Sequence, residues 1–179
     1  EARVGREAGM SWLEALDTTD RLLEILERVH ARHVIHRDIK PANIVIDDAG
    51  AVTLLDFGIA LAKDALDMSD LDTPRPSRPS MALYGTPEYM APEQAARPAE
   101  ADERSDLYAV GAVLYEMLTG RLPFAADSAV AILEAKSQGS PEAPSERAPA
   151  RGIPPDVDAL CLRALARHAS LRFASAGEM

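Results

Sequence analysis

Four side chains lie within a short stretch and have types that can share one task. His36-Arg37-Asp38-Ile39-Lys40-Pro41-Ala42-Asn43 is followed, after a brief interval, by Asp56-Phe57-Gly58. Asp38 offers a carboxylate that can orient a hydroxyl and take its proton. Lys40 can neutralise charge on a transferred phosphoryl group. Asn43 and Asp56 offer hard oxygen atoms of the kind magnesium prefers. Together they suit phosphoryl transfer, in which positioning and charge neutralisation supply most of the catalysis.

The sequence between the two motifs says how they can meet. Ile44-Val45-Ile46 and Val52-Thr53-Leu54-Leu55 are short apolar runs separated by Asp47-Asp48-Ala49-Gly50, which predicts a hairpin. Its two ends would carry the four side chains to one place. Helical patterns surround it. Asp17-Thr18-Thr19-Asp20 reads as a helix N-terminus, with Leu22, Leu23, Ile25, Leu26 and Val29 at helical spacing and an end near Arg32. Leu107 to Leu118 is apolar almost all round, which predicts a helix in the middle of the domain, stopped by Gly120. Ser128 to Gln138 and Asp156 to Arg167 read as further helices joined by a Pro-rich connection. Ser175 is placed to cap one more. Lys63 to Ser80 is acidic and rich in Pro and Ser, which reads as a surface loop. The expected fold class is mainly α with a small β-hairpin.

Composition adds bounds. The 179 residues suffice for one domain with a real core, and 47% hydrophobic with 27% charged residues is ordinary for a soluble globular chain. A formal net charge of −10 without a basic stripe argues against nucleic-acid binding. No apolar run has the length of a membrane-spanning helix, and the first residues do not show a signal-peptide pattern. Cys161 is the single cysteine, which suits a reducing cytoplasmic setting, and its neighbours Leu160 and Leu162 mark it as a buried structural thiol.

The motifs occur in an ordered series that resembles the eukaryotic-like, bacterial-type serine/threonine protein kinases over essentially the whole chain. His36-Arg37-Asp38 with Lys40 and Asn43 is similar to that family's catalytic loop, here 36–43. Asp56-Phe57-Gly58 looks like the magnesium-binding start of the activation segment, and Gly85-Thr86-Pro87-Glu88-Tyr89-Met90-Ala91-Pro92-Glu93 looks like its close, giving a segment of 56–93. Asp106 to Gly111 resembles the start of the buried central helix, about 106–118. Arg172 falls where the family has the arginine that pairs with the closing glutamate, here Glu93.

The resemblance implies a protein kinase C-terminal lobe covering residues 1–179, α+β once joined to its N-terminal lobe. It implies transfer of the ATP γ-phosphate to Ser or Thr of protein substrates, with Mg²⁺ or Mn²⁺ as the metal. Asp38 and Lys40 would be catalytic. Asn43 and Asp56 would hold metal, and with Lys40 and Val45 they would line the nucleotide site. Thr86 would bond Asp38 and Lys40 and shape the pocket beside the acceptor. His36, Arg37, Phe57, Gly58, Glu93, Asp106 and Arg172 would be supports, Asp106 by accepting backbone N–H bonds from the catalytic loop. Lys40, two residues after Asp38, fits the serine/threonine pattern rather than the tyrosine one. Tyr108 replaces the tryptophan usual in animal kinases, which resembles bacterial members.

Other features carry both bland and sharp readings. His30, His33 and His36 recur every three residues, but no carboxylate or Cys completes a metal site, so His36 reads as packed and the other two as helix-end polar residues. Arg37 suggests a basic site for a phosphate on the activation segment. Ser69, Thr73, Ser77 and Ser80 are the available acceptors, with Ser80 the first choice. Ala169 stands where many relatives have proline. The chain opens on Glu1 rather than Met, and its only lysines are Lys40, Lys63 and Lys136. A nucleotide-pairing lysine, its partner glutamate and a glycine-rich loop are therefore expected upstream, in an N-terminal lobe that would be the first partner of this chain. Without it the fragment is expected to be inactive. The expected location is the cytoplasm, including the cytoplasmic part of a larger membrane-anchored protein. The competing function is a non-catalytic kinase-like scaffold, which has no reason to keep Asp38, Lys40, Asn43 and Asp56 together.

Overall fold

A helix can start where a side chain caps its first N–H groups, and Ser11 does so here. In the computed structural model, which describes residues 2–3, 10–56 and 86–179, helix α1 spans Trp12–His30. Ser11 Oγ accepts from the Glu14 N–H, and the Glu14 carboxylate accepts in return from the Ser11 N–H at 3.0 Å, a reciprocal capping box. The start expected at Asp17 is thus corrected to Ser11. Thr18 and Thr19 are buried within the helix, and the Thr19 hydroxyl bonds back to the Ala15 carbonyl at 2.8 Å instead of capping.

The hairpin forms as expected. Strands β2 (Ile44–Ile46) and β3 (Val52–Leu54) pair antiparallel, with Val45 opposite Thr53. The Asp47 carboxylate closes the turn by accepting from the Ala49 and Ala51 N–H groups at 2.9 and 2.8 Å. A two-residue strand, β1 (Ala2–Arg3), adds to the other edge of β2, so the sheet has three strands in the order β1-β2-β3.

Five further α-helices follow among the described residues: α2 (Pro92–Ala96), α3 (Glu103–Thr119), α4 (Ala129–Gln138), α5 (Pro144–Arg147) and α6 (Pro155–Ala164). Helix α3 is the axis of the core. From Ser105 to Thr119 every residue but Glu116 is buried, as its lack of a polar face predicts. It begins three residues earlier than expected, because Asp102 caps it through the Arg104 N–H at 2.9 Å. It ends at Gly120, whose φ of 72° is a left-handed stop that favours glycine. Helix α1 packs on one side of α3 and α6 on another. At Gly111 an added Cβ would lie 2.7 Å from the Ala164 Cβ, so only glycine lets α3 and α6 approach this closely.

Ser128 caps α4 through the Ala131 N–H, as its sequence suggests. Helix α6 stops at Ala164, short of Arg167, and its Asp158 instead anchors the start of α5 through the Ser145 N–H and hydroxyl. Ser175 stands at the N-cap of a single 3₁₀ turn, Ala176–Glu178, without a side-chain capping bond. Cys161 is fully buried and its thiol lies 3.6 Å from the Gly111 carbonyl, with burial pushing it well above the usual thiol range. No helix among the described residues is long and apolar enough to cross a membrane.

Candidate active site

One carboxylate organises the loop that precedes the hairpin. Asp106 sits in the first turn of α3 and is 1% exposed. Its Oδ2 accepts from the His36 N–H at 2.8 Å and lies 2.8 Å from His30 Nε2, while Oδ1 accepts from the Arg37 N–H at 2.8 Å. A carboxylate has no proton to give, so the His30 ring must carry its proton on Nε2. Three donors offset the cost of burying this charge. The expected support role of Asp106 therefore takes a definite form. His30, expected to be a helix-end polar residue, is corrected to a buried member of this cluster, because the last turn of α1 faces α3 there.

Arg37 occupies a conformation that needs such help. Its φ is 67°, in the left-handed region where a side chain is strained. Asp106 holds its N–H, and Gln94 of α2 donates from Nε2 to the Arg37 carbonyl at 2.6 Å. Both backbone groups of the strained residue are thus fixed by side chains from other elements. The Arg37 side chain is half-buried, and its Nε has no hydrogen-bond partner among the described residues.

His36 then ties the loop to the far end of the hairpin. Its Nδ1 accepts from the Asp38 N–H at 3.3 Å, and its Nε2 lies 3.1 Å from the Leu55 carbonyl. The Leu55 N–H in turn donates to the Asn43 carbonyl at 2.7 Å. Both backbone groups of Leu55 are held, and the next residue is Asp56. Asp56 is exposed and has a φ of 57°, a second strained position at this junction.

Asp38, Lys40, Asn43 and Thr86 form one hydrogen-bonded group. Lys40 Nζ donates to Asp38 Oδ2 at 2.7 Å and to Thr86 Oγ1 at 3.1 Å. Asn43 Nδ2 donates to the Asp38 carbonyl at 2.8 Å and to Asp38 Oδ2 at 3.2 Å. Thr86 Oγ1 lies 3.4 Å from Asp38 Oδ1. Oδ2 is therefore occupied by two donors, and Oδ1 is the oxygen left with capacity for an incoming hydroxyl. Fixing the Asn43 nitrogen leaves Oδ1 as the acceptor atom of that side chain. This arrangement can orient a hydroxyl, accept its proton and place an ammonium beside the transferred group.

The segment carrying Thr86 is moored to the helical body. Glu93 and Arg172 form a two-pronged pair at 2.6 and 2.8 Å, and Glu93 also accepts from the Ser105 hydroxyl. Burial alone would raise the Glu93 carboxyl, but the hydrogen bonds and charge of Arg172 outweigh it and hold the group below its usual range. Tyr89 donates from its hydroxyl to Glu116 of α3 at 2.6 Å.

Lys136 of α4 is the residue that sequence reasoning missed. It is 1% exposed, and its Nζ donates to the carbonyls of Pro87, Glu88 and Met90 at 2.8, 2.7 and 2.9 Å. Its rank among only three lysines, inside the expected helix, was the available signal.

Val45 is half-buried in β2 and paired with Thr53 and Arg3. Phe57, Gly58 and the proposed phosphate acceptors Ser69, Thr73, Ser77 and Ser80 lie outside the described residues. His30 and His36 each spend Nε2 on a protein partner, and His33 is exposed with a φ of 57°.

Comparison with known proteins shows the family to which the chain belongs. The profile of the family described as "Protein kinase domain" matches residues 3–176. The chain is 44% identical over 157 residues to the probable serine/threonine-protein kinase PknB of Bifidobacterium longum, which covers 88% of this chain and 21% of that protein. It is 44% identical over 177 residues to the serine/threonine-protein kinase pkn3 of Myxococcus xanthus, covering 97% of this chain and 31% of that one. It is 39% identical over 176 residues to the serine/threonine-protein kinase PknB of Mycobacterium tuberculosis, covering 98% of this chain and 26% of the relative. The chain thus spans between 21% and 31% of the length of these relatives.

Proposed function

Because the chain belongs to the protein kinase family, we propose that it is the acceptor-side lobe of a bacterial serine/threonine protein kinase, transferring the γ-phosphate of ATP to Ser or Thr of proteins. The observation that carries this reading is the group around Asp38, with Lys40 Nζ at 2.7 Å from Oδ2 while Oδ1, which accepts only a long bond from the Thr86 hydroxyl at 3.4 Å, keeps acceptor capacity. Asp38 orients the acceptor hydroxyl through Oδ1 and takes its proton as the hydroxyl oxygen bonds to the γ-phosphorus and the bond from that phosphorus to the β-phosphate oxygen breaks, releasing ADP. Lys40 compensates the negative charge that gathers on the transferred group. Thr86 keeps the ammonium and the carboxylate in register.

Asn43 and Asp56 suit magnesium, since both present hard oxygens and Asn43 has its nitrogen already committed. A bound magnesium ion would supply neutralisation of the phosphate charge. The residues' own contribution is to fix two donor oxygens at the two ends of one hairpin, through the Leu55–Asn43 and Leu55–His36 bonds. An N-terminal lobe with a glycine-rich loop and a lysine is part of this proposal, as are Val45 at the nucleotide and a cytoplasmic location for the domain. The half-buried Arg37, with its Nε lacking a partner among the described residues, supports a site for an activating phosphate, for which Ser80 is the proposed bearer.

The test is transfer of labelled phosphate from ATP–Mg²⁺ to a Ser/Thr protein substrate by the full-length gene product. Asp38→Asn should abolish transfer, by at least about a hundredfold, with ATP affinity little changed. Transfer that survives Asp38→Asn at the wild-type rate would sink this reading.

A further inference from the structure

Three carbonyls from a run of four residues point at one cation, and that is an expensive way to build a loop. The Pro87, Glu88 and Met90 oxygens all lie within 2.9 Å of Lys136 Nζ, which comes from α4 and is 1% exposed. The Thr86 carbonyl is taken as well, by the Tyr89 and Met90 N–H groups at 3.0 and 3.1 Å. The turn that follows Thr86 therefore closes around a side chain that belongs to another helix. We infer that Lys136 is a positioning residue for the protein acceptor: it sets the shape of the 86–90 turn, and so the pocket that receives the residue next to the phosphorylated Ser or Thr. This deepens the kinase reading and rests on it.

The chemistry favours lysine and no other residue. An ammonium has three donors and no acceptor, which matches three carbonyl oxygens one to one. Arginine presents a flat fork, and glutamine has only two N–H bonds in a plane. The charged groups around Nζ are few. Glu88 belongs to the turn itself, and the Tyr108 ring of α3 lies 5.1 Å away. A second cation over that ring is Arg172, 4.8 Å from its centroid and committed to Glu93. Burial pushes the ammonium down to about 7, with Glu88 acting the other way, while the three carbonyls favour the charged form. A neutral amine would keep two donors for three acceptors and release one carbonyl, so the turn depends on the charge state of this one group.

A lysine that only stabilised the fold would leave acceptor selection untouched. The experiment therefore measures KM for an acceptor peptide and for ATP separately, in the full-length protein, with a peptide library varied at the position after the Ser or Thr. Lys136→Met should raise the peptide KM by about tenfold, shift the preferred following residue, and change the ATP KM by less than about twofold. Lys136→Gln should fall between the two and guards against misfolding of the Met variant. Equal peptide KM and equal preference in either folded variant would overturn the inference, and so would failure of both to fold, which marks a purely structural lysine. A wild-type protein without Asp38-dependent transfer would instead sink the kinase reading.

Discussion

Two buried cations lie over the Tyr108 ring and anchor the same stretch of chain, yet they are compensated in different ways. Arg172 has a full counter-ion: Glu93 meets it with both oxygens, and the carbonyls of Ala166, Arg104 and Arg167 take its other donors. Among the described residues, Lys136 has only backbone dipoles at hydrogen-bonding distance. The first arrangement is a strut, complete in itself. The second is conditional, because its strength depends on the shape of the turn and on the proton that gives the amine its third donor. The strut sits at the closing end of the segment, in Glu93, and the conditional contact sits beside Thr86, where an acceptor would lie.

The largest way to break this contrast is to remove one member of the strut. Arg172→Leu leaves the Glu93 carboxylate half-buried without its cation, and unfolding of the complete domain should become easier by about 3–5 kcal/mol. Replacing Glu93 by Leu as well should restore part of that loss, which a double-mutant cycle on denaturation midpoints would measure. If the double variant is no better than Arg172→Leu, the carbonyl contacts of Arg172 dominate and the pair is incidental.

The pH dependence separates the two anchors by sign. Glu93 is held below its unfolded value, so its contribution is fully present above about pH 4.5 and is lost as pH falls through the folded value. Lys136 is pushed down to about 7 from 10.5, so the unfolded chain binds the extra proton between those values. Wild-type stability relative to Lys136→Met should therefore rise with pH in that window, by no more than about 1.4 kcal/mol per pH unit. A flat difference from pH 6.5 to 9.5 would mean that the carbonyls keep the ammonium charged throughout. The smallest effect concerns the hydroxyl that joins the turn to α3. Tyr89→Phe loses one bond to Glu116 and should cost about 1 kcal/mol, read from thermal unfolding.

What could be read in the sequence followed from local rules. Ile44–Ile46 and Val52–Leu54 form a hairpin because apolar runs flank a turn that Asp47 closes, and α3 is central because it lacks a polar face. The Asp38 group was legible from residue types at fixed spacing, and Glu93 with Arg172 from the family pattern. What escaped was decided elsewhere in space. The Ser11–Glu14 cap was present as a pattern, but the Asp17–Asp20 cluster offered a competing signal that the burial of Thr18 and Thr19 removes. Strand β1 has two residues and no periodicity, so only its pairing with β2 defines it. His30 and Lys136 read as ordinary polar residues on helices. Their roles depend on Asp106 and on the Pro87–Met90 carbonyls, which lie 76 and at least 46 residues away.

The Asp106 carboxylate also has a consequence for exchange with solvent. The His36 and Arg37 amide protons belong to an irregular loop, where rapid exchange is the usual expectation. Here they are bonded to a side chain rooted in α3, the most buried helix among the described residues. They can meet deuterated water only when that carboxylate is drawn away, which requires the α1–α3 contact around His30 to open. The loop amides should then exchange with the core helices, on the timescale of global unfolding, and report the stability of the scaffold.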